Sequence, residues 1–390
     1  MGLTSHKVLA LSALVSLLMV AGTVRLWPRL ARGGWAAVLG RIATILGTQL
    51  AVVCTLALIA NNYGSFYSSW SDLLGTNQDG SVTIRDKFTG DGKQSGVQTL
   101  GKEHVHGGNT VTREPSVVGR LERVRIPGAG TGLSTEGYVY LPPQYFQPAY
   151  ADEKFPAMVA ITGFPGIAKN LITNLNYPGT ELRLIGEGRM KPTVLVLMRP
   201  SPVLPRDTEC EDVPRGPQTE TYFTRDVPSA VRASYRVSED PRGWAVMGDS
   251  TGGYCALKFA IKHPDAFAAA VSLSGYYKAD NDVDTGDLFG GEQGRREAAD
   301  LVWWLAHHPQ PRISVLVGGT RKGDGDYYQA TKAFIDAVQR PMNVSWIMLD
   351  NGGHNFNTWN RMLPASMAWL SDHLAGPAAA APAQAEPAAL

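Results

Sequence analysis

The chain has 390 residues, a formal net charge of +1 and three cysteines. A near-neutral chain without a block of basic residues argues against nucleic acid as a partner. The cysteines show no C-x-x-C spacing, which argues against a zinc site and against a dense disulfide framework. Cys210 and Cys255 could pair in a domain outside the cell, and the alternative is two unpaired thiols.

Two long apolar runs, residues 8–24 and 42–60, lie near the start of the sequence. The first carries no charge, and Gln49 is the only strongly polar side chain in the second. Runs of this length are predicted to cross a bilayer as helices. A signal peptide is the alternative for the first run and a buried core helix for the second, but no clear A-x-A cleavage site follows the first.

Charges around the two runs predict their topology. Only Lys7 precedes the first run closely, whereas four arginines lie between the two: Arg25, Arg29, Arg32 and Arg41. The positive-inside rule places such a loop in the cytoplasm and the chain after residue 60 on the outer face. Residues 1–60 are therefore predicted to be a membrane anchor with two transmembrane helices, and the rest of the chain to lie on the extracellular side of the cell membrane.

Two polar or low-complexity segments flank the main domain. Residues 61–114 are rich in Gly, Ser, Thr, Asn and Asp and are predicted to be a stalk, or an irregular start to the domain, with one short strand at 81–85. His104 and His106 lack further ligand types nearby, so we expect a solvated loop there and not a metal site. Residues 376–390 are an Ala/Pro tail that we expect to be disordered.

Residues 115–375 show the pattern of an α/β domain. Segments 119–126 and 136–140 alternate between apolar and polar residues, which predicts two antiparallel strands. Six continuous apolar runs follow, as expected for strands buried on both faces of a parallel sheet: 157–162, 193–198, 244–247, 269–273, 313–317 and 344–349. Helical patterns lie between them at 218–237, 252–262, 327–338 and 358–374. The predicted fold is a mostly parallel sheet covered by helices.

One motif in this domain predicts a reactive serine. Gly248-Asp249-Ser250-Thr251-Gly252 follows an apolar strand and begins a helix. In a G-x-S-x-G turn of this kind the serine is lifted clear of the sheet edge, and the glycines are needed because neighbouring backbone leaves no room for a Cβ. Ser250 is therefore the candidate nucleophile.

A base and an acid should follow Ser250 in the order acid, then histidine. Of the eight histidines, only His354 lies in a glycine-rich loop after a late strand, so it is the candidate base. For the acid we favour Asp324, which lies between two glycines in the loop after strand 313–317. Asp326 is the alternative, although an aspartate directly before Tyr327 could instead cap the next helix. Asp350 is a poorer third choice.

An acyl-transfer site also needs N–H groups that bind the developing oxyanion. The N–H of Thr251, at the start of the nucleophile helix, is one candidate. The second is the N–H of Phe164 in the loop Thr162–Gly166, since Pro165 has no N–H and the flanking glycines let backbone approach the substrate.

Three motifs carry a resemblance to a known family: TGFPG, GDSTGGYCALKFAIKHPDAFAAAVSLSGYY and GGHNFNTW. Residues 119–374 resemble the Putative esterase family that includes esterase D and the antigen 85 mycolyltransferases. The resemblance implies an α/β-hydrolase fold, Ser250 as nucleophile, His354 as base, and an oxyanion held by the N–H groups of Phe164 and Thr251. The antigen 85 type has a glutamate in the acid loop, where this chain offers Asp324.

These observations predict a membrane-anchored serine esterase or acyltransferase that forms an acyl-enzyme from a small-molecule or lipid ester. No cofactor or metal is implied. The secreted mycolyltransferases lack a membrane hairpin, so their substrate is not carried over. Two alternatives are a catalytically inactive protein of the same fold that binds cell-envelope components, and a peptidase of this fold. Trp303, Trp304 and Phe289 could line an acyl pocket or belong to the core, and segment 210–218 could border the site.

Overall fold

The computed structural model describes residues 5–31, 33–64, 96–103 and 114–377. The predictions for a strand at 81–85, for His104 and His106, and for residues 378–390 of the tail lie outside the described residues. The chain divides into two compact units, residues 1–91 and residues 92–390.

The N-terminal unit contains two long helices, α1 (His6–Leu30) and α2 (Trp35–Gly64). Both helices extend beyond the predicted apolar runs and include flanking arginine and tryptophan residues. The segments Lys7–Leu30 and Trp35–Asn61, with mean hydropathies of 2.0 and 2.2, are long and apolar enough to be candidate membrane spans.

Hydroxyl side chains join α1 to α2. Ser12 Oγ lies 2.7 Å from Thr55 Oγ1, and Thr23 Oγ1 lies 2.9 Å from Thr48 Oγ1. Most of the leucines and valines on both helices remain exposed in this unit. Small and hydroxyl residues at the helix contact, with large apolar residues outside it, are the arrangement found in membrane helix pairs.

The second unit is built on one nine-stranded sheet with the order β1-β2-β3-β5-β4-β6-β7-β8-β9. The first three strands are antiparallel, and β3 pairs antiparallel with β5; all remaining pairs are parallel. The strands are β1 (Gln98–Glu103), β2 (Arg120–Pro127), β3 (Ser134–Leu141), β4 (Ala157–Ile161), β5 (Val194–Met198), β6 (Trp244–Asp249), β7 (Ala269–Leu273), β8 (Ser314–Thr320) and β9 (Asn343–Leu349).

Strand β1 lies inside segment 61–114, for which the sequence predicts a stalk or an irregular start to the domain. It pairs antiparallel with β2 at the edge of the sheet. Five of its six residues are exposed, and its sequence, QTLGKE, has no apolar alternation. The sheet therefore begins before residue 115, with a strand that backbone pairing holds in place without a buried face.

Helices cover both faces of the sheet. They are α3 (Pro115–Val118), α4 (Asn170–Thr173), α5 (Tyr177–Gly186), α6 (Thr219–Thr221), α7 (Val227–Ser234), α8 (Thr251–Lys262), α9 (Gln293–Ala298), α10 (Leu301–His307), α11 (Tyr327–Ala337) and α12 (Phe356–Asp372). A π-helical turn joins α6 to α7, and the helical segment ends at Ser234, before the predicted residue 237, because Tyr235 is extended.

Two apolar cores result from the strand alternation. In β4, Val159 and Ile161 face the core that contains α7, α8, α10 and α11, whereas Met158 and Ala160 face the core that contains α5 and α12. All residues of β4, β5, β6 and β7 are buried. Full burial on both faces explains why these strands are continuous apolar runs in the sequence.

A disulfide and a buried ion pair attach the segment after β5 to the nucleophile helix α8. Cys210 is bonded to Cys255 across 45 residues, with a Cα–Cα distance of 5.7 Å. Lys258 is fully buried, and its Nζ lies 2.6 Å from Glu211 Oε1 and 2.9 Å from Glu220 Oε2. Two carboxylates around one buried ammonium compensate its loss of hydration, so this segment has a fixed position beside α8.

Candidate active site

Ser250 lies at the sharp turn between β6 and α8. Its φ of 54° and ψ of −124° are uncommon for a residue with a side chain, and its N–H donates to Leu273 O at 3.0 Å. A Cβ on Gly252 would lie 2.0 Å from Ile161 O, and one on Gly248 would lie 2.3 Å from the backbone of Gly252. Both motif glycines are therefore required by the packing that holds this turn.

The loop between β9 and α12 brings His354 to Ser250. His354 Nε2 lies 2.8 Å from Ser250 Oγ, and His354 Nδ1 lies 2.9 Å from Asp324 Oδ1. The imidazole packs against Tyr327, at 5.0 Å between ring centroids, and meets the ring of Trp359 edge-on at 5.2 Å. An aspartate on Nδ1 favours the tautomer in which Nδ1–H donates to the carboxylate and Nε2 accepts from the serine hydroxyl.

Of the three candidate acids, only Asp324 contacts His354. Its side chain is 1% exposed, while that of His354 is 32% exposed, so the pair has one buried and one accessible member. Asp326 is exposed and makes no side-chain capping bond to α11. Asp350 is 92% exposed and lies 3.6 Å from Arg321 Nε. The difference arises in the turn, since Gly323 and Gly325 have φ angles of 98° and 51° that orient the residue between them.

The loop after β4 lies directly against the nucleophile. A Cβ on Gly163 would lie 2.8 Å from Ser250 Cβ and 3.3 Å from Ser250 Oγ. Within the described residues, the N–H groups of Phe164 and Thr251 have no acceptor. Thr251 also begins the twelve-residue helix α8, whose amino end favours negative charge. Among the described residues the two predicted oxyanion donors are thus unpaired: Thr251 directly follows Ser250, and Phe164 directly follows Gly163, which packs on Ser250.

An acidic group that the sequence analysis did not identify lies beside this site. Tyr276 OH donates to Glu209 Oε1 at 2.6 Å. Burial, and then the neighbouring Asp207, raise the pKa of Glu209 to about 9. Burial, then Asp324, Asp280 and Glu209, raise the pKa of Tyr327, which packs on His354. These carboxyl groups come from loops far apart in sequence, and no spacing pattern indicates that they meet.

Three aromatic residues considered for an acyl pocket pack in the core or against neighbouring histidines. Phe289 is buried in the core. Trp303 stacks on His307 at 4.2 Å between ring centroids, and Trp304 stacks on His308 at 3.6 Å. In the part of the chain that the structure describes, no group of three or more His, Cys, Asp or Glu side chains is placed to hold a metal ion.

The chain is similar to several known proteins. It is 25% identical over 280 residues to an uncharacterized protein of Corynebacterium glutamicum, covering 67% of this chain and 63% of that protein. It is 29% identical over 113 residues to the diacylglycerol acyltransferase/mycolyltransferase Ag85A of Mycobacterium leprae, covering 26% of this chain and 33% of that protein. The matched regions therefore span less than two thirds of either relative.

The fold matches a solved structure of an S-formylglutathione hydrolase from Agrobacterium tumefaciens. The TM-score is 0.57 at 15% sequence identity, and the match covers 71% of this chain and all of that one. A likeness at this identity concerns the fold, and it agrees with the predicted mostly parallel sheet flanked by helices. The model of the Putative esterase family matches residues 129–373, which is more than half of the chain. The protein is therefore a member of the Putative esterase family.

Proposed function

We propose that this protein is a serine esterase or acyltransferase, anchored in a membrane by α1 and α2, whose catalytic residues are Ser250, His354 and Asp324. The observation that carries the proposal is the continuous series of contacts from Ser250 Oγ through the His354 imidazole to Asp324, at 2.8 and 2.9 Å. Residues 1–60 form the anchor in this proposal, and residues 115–375, together with β1, form the catalytic domain.

The proposed reaction has two halves. Ser250 Oγ attacks the ester carbonyl while His354 Nε2 takes the hydroxyl proton, and Asp324 stabilises the resulting imidazolium. The N–H groups of Phe164 and Thr251 hold the negative oxygen of the tetrahedral intermediate. The intermediate collapses to an acyl-enzyme, and the leaving alkoxide receives the proton from His354.

The second half decides between hydrolysis and transfer. Water, or the hydroxyl of an acceptor, loses its proton to His354 and attacks the acyl-enzyme, which releases Ser250. The geometry of Ser250, His354 and Asp324 is compatible with both hydrolysis and acyl transfer. The similarity to an acyltransferase, together with membership of the Putative esterase family, supports a substrate that is a small-molecule or lipid ester.

The proposal predicts measurable ester hydrolysis by the full chain purified in detergent. We expect turnover of p-nitrophenyl butyrate with a kcat of about 1 s⁻¹ or more. The matching p-nitroanilide should turn over at least about 100-fold more slowly, because the anilide nitrogen is the poorer leaving group and acylation of the enzyme would then limit the rate. Turnover should stop after one equivalent of a fluorophosphonate. No turnover of any short-chain ester would support the inactive binding protein, and faster turnover of anilides would support the peptidase.

The placement outside the cytoplasm is also a proposal. The Cys210–Cys255 disulfide supports it, because such bonds persist in oxidising compartments. The arginines between α1 and α2 support it independently through the positive-inside rule.

Protease added to intact cells or spheroplasts that express the full chain tests this topology. We expect the domain to be digested without lysis. A cytoplasmic protein of the same cells should stay intact and serves as the control. A domain that becomes sensitive only after lysis would contradict the placement.

A further inference from the structure

Asp249 is a fully buried carboxylate directly before the nucleophile. It ends β6 and is 0% exposed. Its Oδ2 accepts a hydrogen bond from the N–H of Gly163 at 3.0 Å. A carboxylate removed from water in this way is costly unless neighbouring donors compensate it, so its burial needs a local reason.

The hydrogen bond from Gly163 N–H to Asp249 holds the loop that carries Phe164. Backbone bonds hold this loop at two further points: Thr162 N–H donates to Met198 O at 3.1 Å, and Gly166 N–H donates to Gly163 O at 2.8 Å. Between those points, the hydrogen bond that Asp249 accepts joins the N–H of Gly163 to the end of β6. Gly163 packs so closely on Ser250 that an added Cβ would lie 2.8 Å from Ser250 Cβ. A small displacement of Gly163 would therefore move the next N–H, that of Phe164, relative to Ser250 Oγ.

We infer that Asp249 is a positioning residue: its carboxylate holds Gly163 against Ser250 and thereby aims the Phe164 N–H at the oxyanion. This inference rests on the proposed function. Asp249 itself does not touch the substrate in this account. It joins the two halves of the oxyanion-binding site, because the residue after Ser250 supplies one donor and the loop that Asp249 anchors supplies the other.

The charge of Asp249 adds a pH dependence. Burial raises the pKa of Asp249, the N–H of Gly163 and then the nearby His354 lower it, and the net pKa is about 7. The other groups that face it are the Thr162 hydroxyl and Tyr177 of α5, whose own pKa is raised by burial and then by Asp249. The ionised form, which is the stronger acceptor, increases as the pH rises through about 7. In wild type, kcat should therefore rise with pH more steeply than a single ionisation would produce.

Two substitutions separate the acceptor from the charge. Asp249→Ala removes the acceptor, and we expect kcat for p-nitrophenyl butyrate to fall by about 100-fold with KM changed by less than about threefold, because an oxyanion donor acts in the transition state. Asp249→Asn keeps an oxygen that can accept from Gly163, and we expect kcat at pH 8 to stay within about fivefold of wild type. The acid limb of its pH profile should show one ionisation fewer.

A thionoester provides a readout that a purely structural role would not change. Its sulfur takes the place of the oxyanion and is a weak hydrogen-bond acceptor, so this substrate gains little from Phe164. We expect Asp249→Ala to lose about 100-fold with the oxygen ester and about fivefold or less with the thionoester.

Asp226 offers a matched control. Its carboxylate is also buried and accepts from the N–H groups of Gly130 and Thr131, both at 2.9 Å, in the turn between β2 and β3. Asp226→Ala should leave kcat within about twofold at a temperature where it is folded.

Three results would overturn the inference while wild type remains active: an unchanged kcat in Asp249→Ala, an equal loss with both esters, or a folded Asp249→Asn that loses as much as Asp249→Ala. If Asp249→Ala does not fold, the kcat of Asp249→Asn and its pH profile still test the inference. Inactive wild type would instead contradict the proposed function.

Discussion

Replacing Ser250 with alanine is expected to lower kcat for p-nitrophenyl butyrate by about 10⁵-fold or more, to the residual rate of a site that binds the ester without a nucleophile. The substitution removes one oxygen and keeps the Cβ that packs beside Gly163. His354 and Asp324 would keep their contact with each other but would have no hydroxyl to deprotonate. KM should change little, because the hydroxyl acts mainly in the transition state. Steady-state rates with active-site titration of the wild type provide the comparison.

Ser314 provides the control for this substitution. It begins β8, at the end of the sheet opposite to Ser250, and is half-buried. Ser314→Ala should leave kcat within about twofold of wild type, because substitutions far from the site usually have small effects. If Ser250→Ala retained more than about one hundredth of wild-type kcat, the serine would not be the nucleophile.

Replacing Asp324 with asparagine is expected to lower kcat by about 10³- to 10⁴-fold. Asp324 Oδ1 lies 2.9 Å from His354 Nδ1. An asparagine amide can donate to Nδ1, which would stabilise the tautomer with the proton on Nε2. That imidazole cannot accept the proton of Ser250, although the geometry of the three side chains is unchanged.

Asp326, two residues away in the same loop, is the matched control. It is exposed and makes no side-chain capping bond. Asp326→Asn should leave kcat within about threefold of wild type. The opposite ranking of the two variants in pH-dependent kcat measurements would make Asp326 the acid and contradict the assignment to Asp324.

Local sequence was sufficient where a residue's role depends on its immediate neighbours. The run before Gly248 and the helix pattern after Gly252 located the turn at Ser250, because a fully buried strand must be apolar and a tight turn excludes a Cβ. The same logic located the six parallel strands, whose observed ends differ from the predicted ends by only a few residues.

Other features required contacts that are distant in sequence. Asp324 and Asp326 differ by two positions, and only the positive φ angles of Gly323 and Gly325 decide which one points to His354. The Cys210–Cys255 bond joins residues 45 apart. Strand β1 has no apolar alternation, so pairing with β2 alone defines it.

The central claim is that Ser250 becomes covalently acylated, and site mapping with a fluorophosphonate probe tests it most directly. The full-length protein is treated with the probe, its intact mass is measured, and the modified peptide is sequenced by tandem mass spectrometry. We predict one adduct per chain, located on Ser250, and no adduct on Ser250→Ala. An adduct on another residue, or an unmodified protein that still hydrolyses esters, would contradict the account.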